Sequence, residues 1–352
     1  MGKTQKVNVK HSKKNQTFGV VIGVLTSIIV LISLVMLGHQ ANRETILSGP
    51  KESLVIGYGV APESALAILA LDQNYFSLFG LDVIVKEYPS GIRALQDGLF
   101  SGEIDIAITS EVPIVLNSFS CSDFSIVASI GYSDNEPRII ARSDAGIKEP
   151  VDLKGKRIAT QPDSAVHYFL HLFLLENGLS EKDIELSFMN AEALPKAFAS
   201  GEIDAFSMRE PFISEAIDLL EEKAVVFEMP GIYLKTSNVV SLNSYIASNP
   251  QIIDCFLRSM IKAEEYIQKN PQEAMKIVAK RLGMAEERLN NVWKDIIFRV
   301  TLDQALLLSL ENEARWAIRA EIVTGTALPN YLEYIHLYGL NSIRPKAVTI
   351  IR

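Results

Sequence analysis

Cysteine is nearly missing from this sequence: Cys121 and Cys255 are the only two in 352 residues. That excludes a scaffold held by several disulfides. The pair reads as one bridge or, more simply, as two small buried side chains. The short signatures of common catalysts are missing as well. There is no Gly-x-x-x-x-Gly-Lys phosphate loop, no nucleophile elbow, no paired-cysteine motif and no His-Glu-x-x-His. Beyond the N-terminus acidic residues outnumber basic ones. Residues 1–40 hold five lysines and no acid, so the rest of the chain carries −13 of the overall −8. An acidic body without a basic stripe argues against nucleic acid as a partner. His167 and His171 stand one helical turn apart, a spacing a metal can use. No third ligand is placed near them in the sequence, so no metal or cofactor is expected.

Long apolar runs are also rare, with one exception. After a basic segment (residues 1–17), residues 18–38 are uncharged and mostly apolar. That length suits a membrane-spanning helix, and the lysines before it would keep the N-terminus in the cytoplasm. A cleavable signal peptide is the competing reading, which would release the protein to the periplasm. Its apolar core is usually shorter, and Leu37-Gly38-His39-Gln40-Ala41 is a poor cleavage site. Residues 39–52 read as a linker.

The body is organised by a stretch that occurs twice. Ser101-Gly102-Glu103-Ile104-Asp105 runs into an apolar segment and then Ser110-Glu111-Val112-Pro113. Ninety-nine positions later, Ser200-Gly201-Glu202-Ile203-Asp204 runs into another and then Arg209-Glu210-Pro211. Each copy follows a helix-like run, where the glycine suits a left-handed helix end. The flanks repeat too. Each copy has a strand, a helix ending at Gly-Leu (80–81 and 178–179), a second strand, a second helix and the pentapeptide with its strand. A period this long is not a solenoid repeat. It predicts two similar α/β lobes facing each other across a crevice. Changes of direction near Pro137 and Pro230-Gly231 place lobe one at residues 53–137 plus 235–352 and lobe two at 138–234.

At this point the residues resemble a known family. Tyr75-Phe76, Gly80-Leu81-Asp82-Val83, both pentapeptides, residues 152–159 (Asp-Leu-Lys-Gly-Lys-Arg-Ile-Ala) and residues 344–348 (Arg-Pro-Lys-Ala-Val) carry the resemblance. The chain is similar to the substrate-binding proteins of nitrate/sulfonate/taurine/bicarbonate ABC importers, including binders of the thiamine pyrimidine precursor. The resemblance implies an α/β, two-lobed periplasmic-binding-protein fold (type II) with two interlobe crossings. It implies a small-molecule ligand, anionic or heteroaromatic, and ABC permease and ATPase subunits as partners at the outer face of the cytoplasmic membrane. Pyrimidine-synthase relatives of this fold are recognised by a cysteine-rich segment that this chain lacks, so no enzyme is expected. The alternative reading is a membrane-anchored ligand-sensing module with the same fold.

Ligands of open α/β sheets sit beyond the carboxyl ends of the strands, which selects the candidate site. Tyr58 and Val60 lie in the first turn, where Gly57 and Gly59 let backbone approach a ligand. Ser110 and Glu111 follow the first repeated strand, and Asp134 ends a later one. Ser164, Ala165, Val166 and His167 open a helix whose free N–H groups favour an anion. In the resembled family a glycine usually precedes this serine; here Asp163 takes its place and is expected to cap the helix. Arg209 and Glu210 follow the second repeated strand, and the planar Arg209 fork suits an oxyanion. Glu111 and Glu210, in equivalent places, share either a ligand role or a hinge-tying one.

Overall fold

The computed structural model describes residues 1–2 and 51–351. The expected basic segment, apolar run and linker therefore lie almost wholly outside the described residues. Among the described residues no helix is long and apolar enough to cross a membrane.

Strand β1 (Glu52–Gly59) leads through a tight turn into helix α1 (Ala65–Asp72), then β2 (Leu81–Tyr88), and a short helix at Gly91–Arg93 that continues as a π turn over Ala94–Leu99. The first pentapeptide follows, then β3 (Ile106–Thr109), α2 (Glu111–Ser118) and β4 (Phe124–Ser133). The chain next builds β5 (Arg138–Arg142), β6 (Arg157–Thr160), α3 (Ala165–Glu176), β7 (Glu185–Phe188), β8 (Ala205–Met208) and β9 (Ala224–Phe227). It returns in β10 (Lys235–Leu242) and continues through α4 (Pro250–Lys269), α5 (Pro271–Leu282) and α6 (Gln304–Arg319).

Two five-stranded sheets result, ordered β2-β1-β3-β10-β4 and β7-β6-β8-β5-β9. In each, three strands run parallel and a fourth lies antiparallel against the central member. Strands β3 (IAIT) and β8 (AFSM) are buried along their whole length, as central strands covered on both faces must be.

The repeated pentapeptide explains itself in this frame. Gly102 and Gly201 both close a helical run at positive φ, +78° and +79°, where a Cβ would be strained. Ile104 and Ile203 enter the two cores. Asp105 Oδ2 accepts the backbone N–H of Val55 in β1 at 2.8 Å, and Asp204 Oδ2 accepts that of Arg157 in β6 at 3.0 Å. Each aspartate thus pins the entry of its lobe's first strand to the strand that follows the pentapeptide.

The chain passes between sheets twice, after Ser133 and after Phe227. One helix departs from the expected division at residue 235. Leu306, Leu310 and Ala314 of α6 pack in the first sheet's core, but Trp316 and Ala317 pack in the second's. Sixteen residues span about 24 Å, which is long enough to reach both. Helix α2 divides its contacts likewise, Val112 to one core and Ile114 and Val115 to the other.

Candidate functional site

The parallel strands of both sheets end at one cavity. Beyond β2, β3 and β6 the next helical run opens at Ser90, Ser110 and Ser164. All three serines hold extended backbone, with φ/ψ of −154°/163°, −78°/173° and −137°/163°, and none caps its helix with its own hydroxyl. In α3 the His167 N–H already meets the Ser164 carbonyl at 3.1 Å, which leaves the N–H groups of Ala165 and Val166 for another acceptor. Serines 90, 110 and 164 all line the cavity, with Ala165, Val166 and Arg209. Its volume is about 520 Å³, counting space open to solvent.

Backbone packing shapes the floor. A Cβ on Gly59 would lie 2.7 Å from the Gly91 nitrogen and 2.8 Å from the Ser90 carbonyl carbon. The absence of bulk expected to admit a ligand here instead admits the neighbouring helix start. Gln161 joins the lobes: its Nε2 donates to Ser90 Oγ at 3.3 Å, and its carbonyl accepts from Ser164 Oγ at 2.6 Å.

Charges meet at one edge. Arg209 is 6% exposed, donates from Nη1 to the Glu210 carbonyl at 3.0 Å, and brings Nε to 3.7 Å from Glu63 Oε1. Lys235 Nζ lies 3.0 Å from the same oxygen and also contacts Glu136 Oε2. Burial alone would push the Glu63 carboxyl up, but the charges of Lys235 and Arg209 outweigh it and hold it down to about 2. Burial pushes Glu136 up against the pull of Lys235. Two carboxylates against two cations sum to zero. The helix starts, each worth roughly half a positive charge, then decide the sign, and the cavity favours an anion.

Of the expected site residues, Ser110, Ser164, Ala165, Val166 and Arg209 come together here. The others go elsewhere. Tyr58 is 1% exposed in the first core, its ring facing Arg281 and Glu87 rather than the cavity. Val60 belongs to the turn, its N–H donating to the Tyr88 carbonyl at 3.1 Å. Asp134 is exposed, its carbonyl accepting from Gly231 N. His167 is buried edge-on between Phe188 and Trp316, 3.5 Å from Glu181 Oε1, and His171 is equally near that oxygen. Among the described residues no three His, Cys, Asp or Glu side chains are placed to hold a metal ion. Glu210 accepts the Ser214 N–H at 3.1 Å. Asp163 does not cap α3; it sits exposed at φ +55°, the left-handed position a glycine would fill, and Ser164 is the N-cap.

Glu111 is fully buried. It accepts from Tyr233 Oη at 2.6 Å and from Thr236 N and Oγ1 at 3.0 and 3.2 Å. It therefore ties the return crossing and β10 to the start of α2 instead of facing the cavity.

Ser90, Gln161, Glu63 and Lys235 escaped the sequence reading. Ser90-Gly91 ahead of an apolar helical run is an N-cap signal that was there to be used. Lys235 had no local signal, because its partners Glu63 and Glu136 come from the turn before α1 and the first crossing, both distant in sequence.

Against known proteins, the NMT1/THI5-like family model matches residues 61–274. A protein of Brucella abortus (strain 2308), described as a binding protein, is 25% identical over 235 residues, 66% of this chain and 72% of that one. The taurine-binding periplasmic protein of Escherichia coli (strain K12) is 26% identical over 261 residues, 70% of this chain and 74% of that one. Among solved structures, the periplasmic aliphatic sulphonate binding protein SsuA from Escherichia coli superposes with a TM-score of 0.68 at 20% identity, covering 83% of this chain and 99% of that one. The two-sheet body has the periplasmic-binding-protein fold.

Proposed function

The chain belongs to the NMT1/THI5-like family, and from that premise we propose that it is the extracytoplasmic solute-binding component of an ABC importer, closing two lobes on a small oxyanion. The observation that carries this reading is the convergence of three helix starts, each opening at a serine that leaves its helix uncapped, and of Arg209 on one cavity between the sheets. Preorganised N–H groups and an arginine fork suit a sulfonate or a comparable anion. Relatives named for taurine and aliphatic sulphonates point the same way. Residues 53–137 with 235–352 form one lobe and 138–234 the other, with α2 and α6 spanning both. The closed form docks on a permease driven by an ATPase. Residues 18–38 hold the body at the outer face of the membrane; fractionation that finds the chain released to the periplasm contradicts that part alone.

The test is a calorimetric titration of the purified protein with small sulfonates, nitrate and carboxylates. At least one should bind, and Arg209→Ala should weaken it at least about tenfold, which corresponds to about 1.4 kcal/mol. Arg209→Lys should recover little, since the ammonium lacks the planar fork. Binding of no anion, or equal affinity in the alanine variant, contradicts the reading.

A further inference from the structure

Helices α3 and α6 form the walls of a groove of about 1330 Å³, counting space open to solvent, which shares no lining residue with the anion cavity. Helix α3 lines it with Tyr168, His171, Leu172 and Leu175, and α6 with Asn312, Arg315, Trp316 and Arg319. Both sets are spaced i, i+3, i+4, i+7. Each helix therefore turns one stripe toward the groove over two turns, about 10 Å. Tyr168 and Trp316 meet at the floor, their ring centroids 5.0 Å apart. Leu175 is 52% exposed on one wall, and Arg315 and Arg319 are exposed on the other. Glu181 and Lys182 also line the groove.

Charge selects the occupant. Three cations and one carboxylate line the groove of an otherwise acidic body. The carboxylate, Glu181, already faces His167 and His171. Arg315 holds an exposed pair with Glu311, and such pairs are worth little. Lys182 and Arg319 have no ion-pair partner among the described residues. Residues 1–40 of the chain itself bring five lysines and no acid, the wrong sign for this groove. A bilayer is entered by apolar side chains that protrude, whereas Trp316, the largest one here, is 4% exposed.

We propose that this groove docks an acidic amphipathic helix of a partner protein. Helix-in-groove recognition uses apolar anchors at i, i+3, i+4 and i+7, the same spacing that both walls offer. The partner's apolar face packs on Leu172, Leu175 and Trp316, and its acidic residues pair with Lys182, Arg315 and Arg319. The site is separate from the anion cavity and does not rest on the function proposed above.

The test selects, on the purified protein, from a displayed library of peptides about 16 residues long, with one apolar helical face and every other position random. The enriched peptides should be acidic, and a synthetic one should bind in fluorescence anisotropy. Exchanging its acids for lysines, or introducing Arg319→Glu or Leu175→Asn, should each weaken binding at least about tenfold. Both variants change exposed side chains and should keep the parent's melting temperature. Leu175→Asn alters no charge, so its loss separates packing in the groove from attraction to a basic patch. No enrichment, enrichment of neutral or basic peptides, or binding that survives both substitutions overturns the proposal. So does a dimer of the chain that dissociates in both variants, or phosphatidylglycerol vesicles that bind the parent but neither variant. The groove would then belong to a second copy or to lipid.

Discussion

Glu313 is fully buried on α6 with neither carboxyl oxygen hydrogen-bonded. Burial, and then the charge of Glu111 nearby, push its pKa well above the ordinary value. Glu111 differs, because Tyr233 and Thr236 supply donors to its carboxylate. Burial pushes Glu111 up too, but these donors pull against it, so of the pair Glu313 holds its proton more firmly. A carboxyl raised in the folded state contributes its stability fully below the ordinary value of 4.5. That contribution is lost as pH rises through the raised value. Glu313→Gln, which fixes the neutral form, should raise the melting temperature by at least about 2 °C at pH 8 and leave it unchanged at pH 4. Scanning calorimetry at the two pH values checks this, and an equal shift at both would remove the titration from the account. Glu63 works in the opposite sense. Its stability is present above 4.5 and lost as pH falls toward about 2. At this scale the sequence showed residue types and neighbours but not burial, so Glu111 stayed open between a ligand role and a hinge-tying one. Its partners Tyr233 and Thr236 lie more than a hundred positions away.

Among the elements, the two copies of Ser-Gly-Glu-Ile-Asp were the most legible part of the chain, because each role is local. The glycine ends a helix, the isoleucine enters a core, and the aspartate reaches the strand beside it. Asp105→Ala and Asp204→Ala should each destabilise the protein by about 1–3 kcal/mol, since each strips a backbone N–H of its acceptor. Arg157 also pairs with Asp204 through its guanidinium, but that side chain is 46% exposed, and an exposed pair adds little. Equal losses in urea denaturation are therefore expected. A loss at Asp204 several kcal/mol larger would show that the ion pair, and not the backbone bond, holds the strand. Less was legible where hydrogen bonding departs from the α pattern. The run ending at Phe100 looked like an ordinary helix and is mostly a π turn. Asp163 looked like a cap and holds a left-handed turn.

At the scale of the molecule, the paired lobes were readable from the order of elements, but the features that join them were not. Helix α6 carries one apolar stripe through Leu306, Leu310, Ala314 and Ala317, and a single amphipathic pattern does not reveal that its two ends face different sheets. The Glu63–Lys235–Glu136 cluster draws on α1's approach, the first crossing and β10, and no stretch of sequence contains it. Three helix starts from both sheets meet because parallel strands place every following turn at the same end. The central claim is that a small oxyanion sits at that meeting point. A crystal structure of the protein with the tightest-binding small sulfonate measures this most directly. The account places the oxyanion about 2.7–3.2 Å from the first-turn N–H groups behind Ser110 and Ser164 and from the Arg209 guanidinium. An oxyanion bound outside the cleft, or inside it with Arg209 turned wholly to Glu63, would contradict it.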